Sequence, residues 1–274
     1  MKKLLVLLCA GALAHGTAQA ASNYSTGAVA SYMANCGVGP DLPLTIPEAA
    51  NFRAWYDLGH FTRITTWQDG DVWGSDFRDG ASADSNGSGG SDITQVYFYT
   101  GHGICQNPPG ATDPDFIVVC GNFGKPDITS IGASSRWGSA SGGQLQFLLL
   151  DASCPMDLVS ITNNWFSPFG GLHIATGHSG NAAHDTLDSA SRGGSFASQT
   201  VGFSVGPITI IPKLPVTYAW MNTGLIEVQD QVCAVSVAAG ATEAEAIDRR
   251  ENEMITDNRS DPANNWLAWR WVCK

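Results

Sequence analysis

The sequence predicts an α/β fold whose central sheet is mainly parallel and flanked by helices. Three runs carry that prediction. Residues 93–100 are rich in β-branched and aromatic side chains and lead into Gly101-His102-Gly103. Residues 145–150 are largely apolar and lead into Asp151-Ala152-Ser153-Cys154, and residues 171–177 lead into His178-Ser179-Gly180. Short apolar runs bounded by small residues read as strands buried on both faces, as in a parallel sheet. Such sheets bind ligands beyond the carboxyl ends of their strands. His102 and Cys154 each follow a strand. They are therefore expected to face each other across one crevice, the arrangement a thiolate–imidazole pair needs.

The remaining elements follow in order. Lys2 and Lys3, the apolar stretch 4–13 and Ala18-Gln19-Ala20 have the order of a secretory signal peptide. Residues 1–20 are read as that peptide and 21–274 as a single domain with an N-terminal arm, secreted or periplasmic. Cys9 lies inside the apolar stretch rather than after it, which argues against a lipoprotein. No other run approaches the ~20 apolar residues of a membrane helix. The arm, residues 21–60, shows little periodicity; Cys36-Gly37-Val38-Gly39-Pro40 reads as a turn and residues 47–56 as a short helix. Residues 61–67 alternate as a strand does. Residues 70–92 are rich in Gly, Ser and Asp and read as a loop anchored by Trp73 and Phe77. Asp69, Asp71, Asp76, Asp79 and Asp84 are oxygen ligands of the kind calcium takes, but their spacing is not that of an EF-hand. A solvated loop is expected there.

Residues 116–119 read as a strand. Residues 155–169 have room for a short helix, since Pro155 is tolerated in a first turn. Residues 200–211 read as a strand or a pair, and residues 243–255 as a charged amphipathic helix at the surface. Trp266, Trp269 and Trp271 crowd the C-terminus. Most of the nine tryptophans are scattered, which core packing explains better than carbohydrate stacking.

Charge narrows the partners. The chain holds 14 basic and 25 acidic residues; without Lys2 and Lys3 the balance is 12 against 25, a net charge of −13. Nucleic acid and anionic membranes are poor partners for such a surface. Removing Cys9 from seven cysteines leaves six: Cys36, Cys105, Cys120, Cys154, Cys233 and Cys273. An exported compartment permits disulfides. Cys105 and Cys120 flank a Pro/Gly loop and are the first expected bridge; Cys233 and Cys273 are the second. Cys36 and Cys154 then either pair or stay free, with Cys154 a working thiol.

The arrangement strand–His102-Gly103, then strand–Ser153-Cys154 some 52 positions on, resembles the caspase–legumain–gingipain superfamily of cysteine peptidases, in which about 50 residues separate the pair in caspases. The resemblance covers residues 93–180 and implies a caspase-like three-layer sandwich. The local sequence around the cysteine is Asp-Ala-Ser-Cys-Pro-Met, not the caspase pattern. Residues 165–173, with Gly170-Gly171-Leu172-His173, also resemble an uncharacterised family of secreted bacterial proteins with Gly-His-Gly and Gly-Leu-His signatures. The superfamily resemblance implies an exported endopeptidase acting on peptide or protein without a cofactor. Cys154 would attack the carbonyl, and His102 would protonate the leaving amine. The backbone N–H groups of Gly103 and Cys154 would hold the oxyanion. Gly103 would let a substrate carbonyl approach, and Ala152 and Ser153 would leave the mouth open.

Two other readings stand beside that one. A peptidase-like fold with Cys154 oxidised to Cys36 would bind a ligand in the same crevice without cleaving it. A metal-dependent hydrolase would use His102, His173, His178 and His184, with Asp185 nearby. The spacings of five and six residues match no zinc signature, so structural histidines are expected, and His178 is placed at the crevice wall. Gly87-Ser88-Gly89-Gly90 and Gly193-Gly194 lack the Lys-Ser/Thr of a phosphate loop, and no Gly-x-Ser-x-Gly elbow occurs.

Overall fold

The computed structural model describes residues 21–37, 39–78, 90–105, 115–121, 127–132, 135–159, 161–184, 186–227 and 232–274. The expected signal peptide, Val38, Asp79, Asp84, Asp185 and residues 87–89 lie outside them.

The elements run β1 (Asn23–Ala28), α1 (Tyr32–Cys36), α2 (Thr45–Leu58), β2 (Thr62–Gln68), β3 (Val96–Thr100), β4 (His102–Ile104), β5 (Asp115–Val119), β6 (Asp127–Ile131), β7 (Phe147–Asp151), α3 (Ile161–Asn164), β8 (Ile174–Ser179), α4 (Leu187–Val201), β9 (Phe203–Val205), β10 (Ile208–Ile211), α5 (Val216–Glu227), β11 (Cys233–Gly240), α6 (Glu243–Asn252) and β12 (Trp266–Cys273). Seven strands form one mixed sheet in the order β12-β11-β8-β7-β3-β1-β2. The five from β2 to β8 are parallel; β11 runs antiparallel to both its neighbours, β8 and β12, so β12 again points the same way as the five. The protein is thus α/β, as the apolar runs predict.

Strand alternation divides the core. Phe98, Phe147, Leu149 and Ile174 turn to one face, where they meet Phe52 of α2, Phe196 of α4 and Trp220 of α5. Tyr97, Tyr99, Leu148, Leu150 and Ala175 turn to the other, where Tyr32, Phe77, Trp137, Trp165 and the small antiparallel sheet β4-β5-β6 cover them. Phe77 stands edge-on to Tyr97 and Tyr99, so it anchors its loop as expected. The Asp-rich segment is not simply solvated: Asp69 Oδ1 accepts from the N–H groups of Ala30 and Ser31, both at 2.8 Å. Asp76 is fully buried and accepts from Trp73 N–H.

The expected arm is not an arm. β1 lies inside the sheet between β2 and β3, although its sequence, Asn-Tyr-Ser-Thr-Gly-Ala, carries no apolar run. Ser25 and Thr26 are fully buried in it. Hydropathy misses such a strand because short hydroxyl side chains satisfy themselves locally: Ser25 Oγ accepts from both Thr65 N–H and Thr65 Oγ1.

Three disulfides join Cys36 to Cys120, Cys105 to Cys154 and Cys233 to Cys273. Only the last is an expected pairing; it joins residues directly opposite in the β11–β12 ladder. The Cys105–Cys120 expectation is corrected by register. His102 pairs with Val118 across β4 and β5. Cys105 and Cys120 therefore sit at opposite ends of that pair, beyond the roughly 7 Å that a bridge can span. Closing loops of 84, 49 and 40 residues stabilises the fold by about 4 kcal/mol each on a chain-entropy estimate. The bridges fit an oxidising compartment. No helix among the described residues is long and apolar enough to cross a membrane.

Candidate functional site

β3 and β7 are adjacent and parallel, with Thr100 opposite Asp151. Their carboxyl ends therefore release His102-Gly103 and Ser153-Cys154 side by side, as the strand-end argument expects. A further short strand begins at His102, so this residue sits where the main sheet hands over to β4 of the small one. The backbone approach there is tight. A Cβ on Gly103 would lie 1.9 Å from Ser153 O. Glycine is thus required by the neighbouring loop itself, not only by a substrate.

The two side chains do not touch in a hydrogen bond. His102 is half-buried and packs on Tyr32, ring centroids 4.3 Å apart. Its Nε2 lies 2.9 Å from Pro40 O, which makes Nε2 the protonated nitrogen, and its backbone N–H donates to Tyr32 Oη at 2.6 Å. Burial pushes the Tyr32 hydroxyl well above its ordinary range, so it stays a neutral phenol. Cys154 is bonded to Cys105, not to Cys36 and not free. Its sulfur receives Gly180 N–H at 3.2 Å, while its own N–H donates to Gly180 O at 3.1 Å. The expected oxyanion role of the Cys154 N–H is therefore corrected: that donor is engaged. Cys154 also has φ +57°, in the left-handed region that costs a non-glycine residue free energy. Ser153, 9% exposed, has its hydroxyl 3.4 Å from Ala182 O.

Beneath these loops lies a buried polar cluster. It gathers Thr100, Asp151 and His178 from the ends of β3, β7 and β8, Glu48 from α2, Arg192 from α4, and His184. Arg192 grips Asp151 with two bonds, Nε to Oδ2 at 2.7 Å and Nη2 to Oδ1 at 2.9 Å. Burial, the largest single influence, would raise the Asp151 carboxyl; the Arg192 charge together with Glu48, His178 and His184 outweighs it and holds Asp151 well below the usual range. Burial, then the charge of Asp151 beside it, pushes Glu48 well above its usual range. Glu48 Oε2 also accepts from Thr100 Oγ1 at 2.6 Å. Burial lowers His184 to about 3, against the pull of Asp151, so it is neutral. His178 Nε2 lies 3.2 Å from Asp151 Oδ1, and its ring packs on Trp220 with centroids 5.1 Å apart. At 1% exposure it underlies the crevice instead of lining it.

Four atoms in this cluster have no hydrogen-bond partner: Nδ1 and Nε2 of His178, Nε2 of His184 and Oε1 of Glu48. Buried unsatisfied groups and shifted titrations concentrate at working sites. Glu48 and Arg192 are absent from the sequence reading. Spacing does carry a signal: Glu48 sits on the buried stripe of α2 with Thr45, Ala49, Phe52 and Tyr56. Arg192 precedes the buried Phe196 by one turn of α4.

The histidines of the metal reading do not all converge: His178 and His184 both stand beside Asp151, but His173 is elsewhere. His173 precedes β8 and His178 lies near its far end. His173 is held instead by Glu253 at 2.5 Å and Asp261 at 3.0 Å. Among the described residues, no group of three or more His, Cys, Asp or Glu side chains is arranged to hold a metal ion. The tryptophan expectation needs amendment too. Trp137, Trp165 and Trp220 are core, but Trp266 and Trp271 are each 49% exposed. They line a hollow of about 590 Å³ with Phe166, Ile247 and Trp269, away from the crevice residues.

One family model spans the architecture just described. The model for Domain of unknown function (DUF6345) matches residues 28–272. The chain belongs to this family. No curated protein matches the chain. The family assignment covers both the β3–β7 crevice and the β8–α6 side of the sheet and attaches no chemistry to either.

Proposed function

We propose that this DUF6345 member is an exported cysteine peptidase of caspase-like fold, with Cys154 as nucleophile and His102 as general acid. The observation that carries this reading is the adjacency of β3 and β7, which releases His102-Gly103 and Ser153-Cys154 from neighbouring strand ends. The parallel strands and the helical layer on one face support the caspase-like part of it.

The reading applies to the molecule with Cys154 free. Its thiolate attacks the peptide carbonyl, and Gly103 N–H receives the charge that develops on oxygen. The thiol proton passes to His102 as the thiolate forms; His102 turns from Pro40 and delivers a proton to the leaving amine, then takes one from the water that hydrolyses the thioester. The test is cleavage of casein and a mixed peptide pool by the mature protein in dithiothreitol. Cys154→Ala and His102→Ala are each expected to lower the rate by roughly 10³-fold or more. Cleavage that survives Cys154→Ala ends the proposal.

A second reading rests on the Cys105–Cys154 bridge itself: the oxidised crevice binds peptide without cleaving it. Peptide retained by the oxidised protein, with no product after reduction, would select it.

A further inference from the structure

We infer that the Cys105–Cys154 bridge is a reversible latch, opened by a dithiol at Cys105 so that Cys154 leaves as a reactive thiolate. The inference rests on the reading of Cys154 as nucleophile and concerns how that nucleophile is controlled.

The placement of the bridge is the first observation. Cys105 directly follows β4, the strand that His102 begins, and Cys154 lies three residues past β7. The bridge thus ties the imidazole's strand to the sulfur's loop. Accessibility is the second. Cys36 and Cys120 are 5% and 1% exposed and belong to the core. Cys154 is 4% exposed, but Cys105 is half-buried, with its sulfur 3.0 Å from Oδ1 of the exposed Asn181. Within this bridge an incoming thiolate therefore meets Cys105 first; the Cys233–Cys273 bridge, with Cys273 exposed at the end of β12, is also open to it but ties no crevice loop. The third observation is the environment of the sulfur that would leave. Gly180 N–H points at Cys154 Sγ from 3.2 Å, and a backbone donor aimed at sulfur favours its anionic form. Cys154 N–H to Gly180 O and Met156 N–H to His178 O, both 3.1 Å, hold the loop in place without the bridge.

The exchange balances as follows. One thiolate of the dithiol bonds to Cys105 sulfur; the Cys105–Cys154 bond breaks, and its electron pair leaves on Cys154. The second thiol of the reductant then attacks the mixed disulfide. Two electrons have passed to the protein, the reductant has become a disulfide, and Cys105 takes up a proton as a thiol. A small disulfide closes the latch again: the Cys154 thiolate bonds to one of its sulfurs and expels the other as a thiolate, and Cys105 then displaces the remaining thiol from Cys154, so the two electrons end on the reduced small disulfide.

The test is a dithiothreitol titration of the oxidised mature protein, quenched with iodoacetamide and mapped by peptide mass. Cys105 and Cys154 are expected to alkylate roughly tenfold faster than Cys36 and Cys120. In Cys105→Ser, Cys154 should alkylate with no reductant, and with a pH midpoint below the ~8.5 of an ordinary thiol. Equal opening of the Cys36–Cys120 bridge, or a midpoint at or above that of a free thiol, overturns the latch. The titration needs no variant, so misfolding of Cys105→Ser leaves it decisive. Peptide hydrolysis separates the two claims. Selective opening with no cleavage retains the latch and removes the peptidase. Cleavage by oxidised protein as fast as by reduced protein removes the latch.

Discussion

β8 has a histidine at each end, and the two are treated in opposite ways. His173, before the strand, is saturated: Glu253 and Asp261 take its two ring nitrogens, and Arg249 Nη1 joins Glu253 at 3.1–3.2 Å. His178, at the other end, has no partner for Nδ1, and its Nε2 makes only a 3.2 Å contact of poor hydrogen-bond geometry with Asp151 Oδ1, a carboxylate already claimed by Arg192. Both are 1% exposed. Burial alone therefore does not separate the two histidines; saturation of their nitrogens does. The saturated end ties β8 to α6 and the segment that follows it. The unsaturated end lies under the loops carrying His102 and Cys154.

The sharpest way to break this comparison is to unbalance the crevice cluster. Arg192→Met leaves Asp151 buried at 0% exposure without its cation, and should cost about 3–5 kcal/mol in thermal or urea unfolding. A loss under 1 kcal/mol would mean that the pair is not the anchor described here. Next in size is His173→Phe, which leaves buried Glu253 with Arg249 alone and takes the ring nitrogen from Asp261, and should cost about 2–3 kcal/mol. Burial lowers the His173 pKa, but the bonds to Asp261 and Glu253 outweigh it and the net shift is upward. The wild-type advantage is therefore complete below the unfolded value of about 6.5 and fades as pH rises through the folded value. Urea midpoints at pH 6 and pH 9 measure that fading.

Glu48→Gln should have a smaller effect, of opposite sign at neutral pH. Burial and the Asp151 charge raise Glu48, so the folded chain keeps a proton that the unfolded chain releases above about 4.5. Stability from this group is present below that pH and lost as pH rises toward the folded value. Glutamine cannot ionise, so the variant should gain about 1–2 kcal/mol relative to wild type between pH 5 and pH 7. Parallel curves for the two proteins would refute the assignment. The smallest effect belongs to His178→Phe, expected within about 1 kcal/mol of wild type because it loses only one poorly aligned 3.2 Å contact to Asp151, which Arg192 still pairs. A cost equal to that of His173→Phe would erase the distinction between the two ends.

What sequence could show follows from the same physics. β3, β7 and β8 were legible because buried parallel strands are apolar on both faces, and those strands place His102 and Cys154. β1 was not, since Ser25 and Thr26 look like loop residues until their partners are known. α4 was hidden by Gly193-Gly194. In the fold Gly193 lets that helix approach α2, where a Cβ would stand 2.9 Å from Glu48 O. Glu48 and Arg192 look like surface charges on helices; only the tertiary contact α2 makes with α4 brings both to Asp151. Disulfide pairing was the least legible, because six cysteines allow 15 connectivities and register, not spacing, decides among them.

The position of β1 carries a consequence for assembly. Ala28 pairs with Gln68 on one side and Thr100 on the other, so the first strand of the chain waits for partners roughly 40 and 70 positions downstream. Closing such distances before any contact rewards them makes nucleation slow. Losing the segment would also split the sheet from within, stripping β2 of the one ladder partner it has among the described residues and baring a flank of β3. A short polar hexapeptide, inconspicuous to hydropathy, is thus the piece on which closure of the whole sheet depends.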